Sequence, residues 1–215
     1  MRHVLRPVFG LSATVVSALA LAHAAHAAGG TYVFDGGTRF EQDQVRHALD
    51  ASSFDWSLVP GRITIHIGAD VSTESSPGQI WLASTLLDSG EFSWGVVQHE
   101  YAHQVDFFLL GDDARRELLR ALGGSDWCYE TAGLPHSAHG CERFASTLAW
   151  AYWQSAGNCM RPQTPNDESA ALAPAAFRAL LEGLLSGAGR SGPASVLPHP
   201  IAEGPGGPVA ARRRR

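Results

Sequence analysis

Isoleucine alternates with other residues through Arg62-Ile63-Thr64-Ile65-His66-Ile67, and this period of two predicts a strand with one apolar face. His66 falls on the opposite face and reads as a half-exposed strand residue rather than a metal ligand. Thr31 to Phe34 gives a second strand signal, ahead of the Asp35-Gly36-Gly37 turn. Gln79 to Ala83 gives a third, read as an edge strand, and Ser72 to Gly78 before it reads as a polar loop. Elsewhere the period is helical. Thr38 and Glu41 fit a capping box that opens a helix to about Ser52, with Phe40, Val45, Ala48 and Leu49 on its apolar face. A longer helix is expected from about Glu91 to Leu110. Asp112 or Asp113 is expected to cap the next one, which stops at Gly123-Gly124. Ser125 to Gly140 has no period, and helices follow over about Cys141 to Gln154 and from Pro174 to about Leu185. A few strands with one helix among them, then a mainly helical half, predict an α+β fold.

The two ends differ from this middle. Residues 1–27 carry Arg2 and Arg6, then an apolar run of about 15 residues, then Ala25-His26-Ala27 in the small-x-small pattern of a cleavage site, which reads as a secretory signal peptide. The run falls short of the roughly 20 residues that span a bilayer. Residues 188–215 are rich in Gly and Pro and end in Arg212 to Arg215, which reads as a disordered tail. The folded domain is therefore expected over residues 28–187.

Composition narrows the function classes. Hydrophobic residues make up 45% of the 215, which excludes wholesale disorder. The formal net charge is −5, and it becomes −7 once Arg2 and Arg6 are removed with the leader. Nucleic-acid binding needs a basic face, so it is excluded as a general role. No later segment is apolar enough to insert stably in a membrane, and an exported, secreted monomer is the expectation.

His99-Glu100-Tyr101-Ala102-His103 carries the candidate chemistry. On a helix, a four-residue step leaves the two histidines about 40° apart and one turn along the axis. Both imidazoles then reach one Zn2+ from the same side, while Glu100 stands where a general base can reach a zinc-bound water. With 10 His in the chain, a chance arrangement gives this pattern roughly 2% of the time. The alternative is two surface histidines on a core helix.

A catalytic zinc keeps three protein ligands and an open position. Glu142, at the start of the helix near Cys141, is the leading third ligand, with Asp106, His136 and His139 as competitors. Asp106 reads better as a residue that orients His103 or holds a local network, because a third ligand from the same helix would crowd one side of the metal. The loop histidines read better as substrate-facing groups. Tyr129 and His139 are the candidate donors to a developing oxyanion. Three cysteines, Cys128, Cys141 and Cys159, allow one disulfide with one left over. A bridge from Cys128 to Cys141 would close the loop leading into Glu142, and Cys141 to Cys159 or no bridge remain open.

These residues resemble a known group. H-E-x-x-H followed by a glutamate on a later helix is similar to the gluzincin class of zinc metallopeptidases, and Glu142-Arg143-Phe144-Ala145 resembles the third-ligand helix of the anthrax-lethal-factor-like peptidases. The resemblance spans roughly residues 79–154. It implies a zincin-like fold, one zinc on His99, His103 and Glu142, Glu100 as general base, and a peptide or protein substrate pairing with the strand at Gln79 to Ala83. Thermolysin-like members carry an aspartate four residues after the ligand glutamate, and here that position is Ser146, so the groups behind the ligands must differ. The expected function is an exported zinc-dependent peptidase. A catalytically inactive zinc-binding relative, acting as a secreted binding module, is the alternative, and Glu100 separates the two because a purely structural zinc site has no use for it.

Overall fold

A computed structural model describes residues 30–188. The expected signal peptide and the Gly/Pro-rich tail lie outside the described residues, apart from Ala188, which ends the last helix. Among the described residues the fold is α+β: a four-stranded sheet and six helices. Strand β1 (Tyr32–Gly36) leads through helix α1 (Arg39–Ala51) to β2 (Ile63–Gly68), which pairs with it in parallel. The capping box forms as read, with the Thr38 side chain accepting from the Glu41 amide and the Glu41 carboxylate accepting from the Thr38 amide. Val45, Ala48 and Leu49 are buried, while Phe40 in the first turn is exposed.

The supposed polar loop contains a strand, β3 (Glu74–Ser76), which turns at Gly78 into β4 (Gln79–Ala83). The sheet order is β1-β2-β4-β3, with β4 parallel to β2 and antiparallel to β3. The expectation that β4 is the edge is therefore corrected: β4 is flanked on both sides and β3 has the free edge. Three polar residues carry too little apolar alternation to announce a strand. They pair because the tight turn delivers them beside β4.

Ile63, Ile65, Ile67, Ile80 and Leu82 point to one side of the sheet and are buried beneath the helices. After the short α2 (Ser84–Leu87), helix α3 (Phe92–Leu109) crosses this core and packs most extensively on α5 (Gly140–Tyr152). Between them in sequence lies α4 (Asp112–Leu122). Its cap residue is Gly111, with Asp112 and Asp113 one step inside, where their charges face the positive end of the helix. Gly123 closes α4 in the left-handed region, as the Gly-Gly stop implied. The last helix, α6 (Pro174–Ala188), packs on α5. Among the described residues no helix is long and apolar enough to cross a membrane.

Candidate metal centre

Helix α3 is buried from Val97 to Asp106, yet six of those side chains are polar or charged. Buried polar groups need partners, so each has to be accounted for. Gln98 donates to the Ala48 carbonyl. Gln104 ties down the β3–β4 turn, donating to the Ser76 and Gln79 carbonyls and accepting from the Gly78 amide. Asp106 accepts from Arg115 at 2.8 Å and from the Trp127 indole. Asp106 therefore holds a local network joining α3 to α4 and Trp127, as one of the sequence readings had it. Burial raises the Asp106 carboxyl from its ordinary range, and Arg115 opposes this only in part.

The remaining three, His99, Glu100 and His103, turn toward α5 and β3. His99 Nε2 lies 3.1 Å from Glu142 Oε2, His103 Nε2 lies 3.3 Å from the same oxygen, and the two Nε2 atoms are 3.2 Å apart. All three residues are buried. A tetrahedral zinc with bonds of about 2.0–2.1 Å sets its donors about 3.3–3.4 Å from one another. Two imidazole nitrogens and one carboxylate oxygen thus already form one face of a zinc-sized tetrahedron. Asp106, His136 and His139 do not take the third corner; Glu142 does. A second cluster, Cys128, Cys141 and Glu142, offers no thiolate, because the two sulfurs are bonded to each other.

Glu142 and His103 each favour the other's charged form. Burial works against the Glu142 charge, but hydrogen bonds from His103, His136 and His99 hold its carboxyl far below the usual carboxylate range. Burial by itself lowers His103, yet Glu142 against the ring outweighs it and the net direction is up. Glu100 is not a member of the cluster. Its Oε2 accepts from the Ser75 hydroxyl at 2.8 Å, which ties it to the free-edge strand β3.

Segment 125–139 brings the remaining candidates. Its two ends pair: Ser125 donates to the Ala138 carbonyl, and the Gly140 and Cys141 amides donate to Asp126 and Trp127. The Cys128–Cys141 disulfide crosses the same base, with Cα atoms 5.3 Å apart. The bridge joins the neighbour of Tyr129 to the neighbour of Glu142, and Cys159 is left free. Tyr129 adopts φ 55°, the one non-glycine residue with positive φ among those described. Such backbone costs energy for a bulky residue and persists only where the surroundings impose it. Burial and the charges of Glu142, Glu168 and Glu100 push the Tyr129 phenol up, so it keeps its proton at neutral pH.

The expectation for His139 needs correction. It is 1% exposed, its Nδ1 lies 2.5 Å from Asp126 Oδ1, and its ring lies 4.1 Å from that of Tyr129. It sits beneath Tyr129 and supports it rather than facing a substrate. His136, three residues earlier, is the exposed one. Its Nε2 lies 3.1 Å from Glu142 Oε2 and its Nδ1 2.8 Å from Glu168 Oε1. Hydrogen bonds to these two carboxylates push His136 up to about 10. Sequence reasoning missed Glu168 and Ser75 altogether, since both lie in stretches without period.

The chain matches no family model, no curated protein and no solved structure. What the site can do is therefore judged from its own geometry.

Proposed function

We propose that this chain is an exported zinc-dependent peptidase with a zincin-like fold, in which His99, His103 and Glu142 hold the metal and Glu100 is the general base. The observation that carries the reading is the triangle of ligand atoms with sides of 3.1, 3.2 and 3.3 Å, with an acid beside it that is not a ligand. A structural zinc site closes all four positions with Cys or His; three ligands of the His2Glu type leave one open. When bound there, zinc supplies Lewis acidity and lowers the pKa of a coordinated water to about 7.

The chain's own groups do the rest. Ser75 fixes one oxygen of Glu100, which leaves the other to accept the proton of the attacking water and return it to the departing amine. Tyr129, held protonated, and His136, whose Nε2–H would be released from Glu142 Oε2 once a metal takes that oxygen, stand on the more exposed side of Glu142 and donate to the oxyanion as it develops. The free edge of β3 carries Ser75 at the site, so an extended peptide that adds to this edge passes Glu100.

Glu100→Gln tests the reading. The amide keeps size and hydrogen bonding but cannot act as a base. Zinc content, measured by metal analysis, is expected to stay at one per chain, while hydrolysis of an unstructured protein falls about 10²- to 10⁴-fold. Equal hydrolysis at equal zinc content removes Glu100 from the mechanism. No hydrolysis by either protein, with zinc bound, favours a metal-dependent binding module.

A further inference from the structure

The stretch between α5 and α6, residues 153–173, is long for a connection with only one short turn of its own, and such loops in compact domains usually serve a function. It is also firmly built. Asn158 is buried and donates to the Ala149 and Trp153 carbonyls. Ser169 is buried and donates to Met160. Asp167 accepts from the Gln163 and Thr164 amides and the Thr164 hydroxyl. The result of this scaffolding is the placement of one side chain, Glu168, from the short turn Glu168–Ala170 packed on α5.

Both oxygens of Glu168 are used. Oε2 accepts from the Ser146 hydroxyl at 2.7 Å, and that hydroxyl lies 3.0 Å from His99 Nδ1. Oε1 lies 2.8 Å from His136 Nδ1. A carboxylate only accepts, so the direction of each bond is decided. Ser146 gives its proton to Glu168 and must accept from His99, which puts a proton on His99 Nδ1 and turns Nε2 toward His103 and Glu142, where a metal would meet it. His136 likewise gives Nδ1–H to Glu168 and turns Nε2 to Glu142.

We propose that Glu168 is the positioning residue of the centre, a single carboxylate that orients two histidines at once: His99 through Ser146, and His136 directly. Ser146 by itself is a neutral hydroxyl that could point either way. Glu168 makes it an acceptor toward His99, and thereby supplies from a distant loop the negative group that stabilises a metal-ligating imidazole. The inference rests on the metal reading above for its purpose, but the proton placement does not need the metal.

Three variants of the full mature chain test it: Glu168→Ala, Ser146→Ala and Glu168→Gln. The readouts are zinc affinity, by competition with a chromophoric chelator, and the Nδ1–H hydrogen bonds of His99 and His136 in zinc-free protein, from imidazole nitrogen and proton chemical shifts. Glu168→Ala is expected to weaken zinc 10- to 100-fold, the usual effect of losing such an outer partner, and to disturb both Nδ1–H signals. Ser146→Ala should give a comparable zinc loss with His136 undisturbed. A glutamine offers one acceptor oxygen where two donors arrive, so Glu168→Gln should keep one arm and lose the other, a split that a residue needed only for folding does not produce. Wild-type zinc affinity together with unchanged His99 and His136 Nδ1–H signals in Glu168→Ala overturns the proposal. So does a disturbed His136 in Ser146→Ala. If the unaltered chain binds no zinc, the metalloenzyme reading fails, while the Nδ1–H signals of the zinc-free proteins still decide the role of Glu168.

Discussion

His136 and His139 stand at the start of one short turn and at the residue that closes it, and each meets a carboxylate at hydrogen-bond distance. Their roles differ because of what each ring has left over. His139 is buried, with Nδ1 on Asp126 and one ring face against Tyr129. Its contacts lie inside the protein. His136 is 56% exposed, and after Nδ1 is held by Glu168 its Nε2 is still directed at the ligand cluster. A carboxylate partner therefore says little about whether a histidine acts or supports. Where the second ring nitrogen points, and the side from which it can be reached, decide that.

The largest effect expected to separate the two is on stability. His139→Ala leaves the buried Asp126 carboxylate without the ring nitrogen at 2.5 Å, and taking the partner from a buried charged group costs about 3 kcal/mol. Urea unfolding should show that loss, and a stability equal to that of the parent, with only turnover reduced, would return His139 to the substrate side. His136→Ala should do the reverse. Under the proposed function its loss removes one oxyanion donor and lowers kcat about 10²- to 10³-fold, while stability of the zinc-loaded protein stays within about 0.5 kcal/mol because the side chain is half in solvent. A drop in stability without a drop in kcat breaks the contrast from that side.

The smallest effect sharpens the comparison through pH. Burial opposes the charge on Asp126, but hydrogen bonds from His139 and from the Thr131 amide hold its carboxyl below the ordinary value. A folded-state pKa below the unfolded one, near 3.9, means that ionised Asp126 adds stability above that pH and that the addition is lost as pH falls through the folded value. Asp126→Asn should therefore be less stable than the parent at neutral pH by about 1–3 kcal/mol, the cost of a poorly satisfied buried group. The difference should narrow below about pH 4 in denaturant midpoints measured across the acid range. A difference that stays constant with pH would mean that the Asp126 charge has no part in the pair.

Much of the frame is legible along the chain. The isoleucines of β2 and the Thr38–Glu41 cap act locally, and each appears where its pattern places it. The same holds for the left-handed stop at Gly123. Where the pattern was thin it misled. Glu74–Ser76 has no apolar alternation, so no local pattern announces the strand beside β4. Nothing in an aperiodic stretch says which of His136 and His139 faces outward from its turn.

Helical geometry alone puts His99 and His103 on one face, because a four-residue step comes back to nearly the same side of any helix. A glutamate on a later helix could likewise be picked out as the third corner from residue type and position. Sequence could go no further than that. Ser75 meets Glu100 across 25 positions, Ser146 meets Glu168 across 22, and His136 meets Glu168 across 32. In each of these contacts at least one partner comes from a stretch with no readable period. Such contacts are set by where the packed core brings separate stretches of backbone together, and that information lies in no local window. The His99–His103 spacing was written in the sequence; the groups that aim these side chains were decided only when the fold closed.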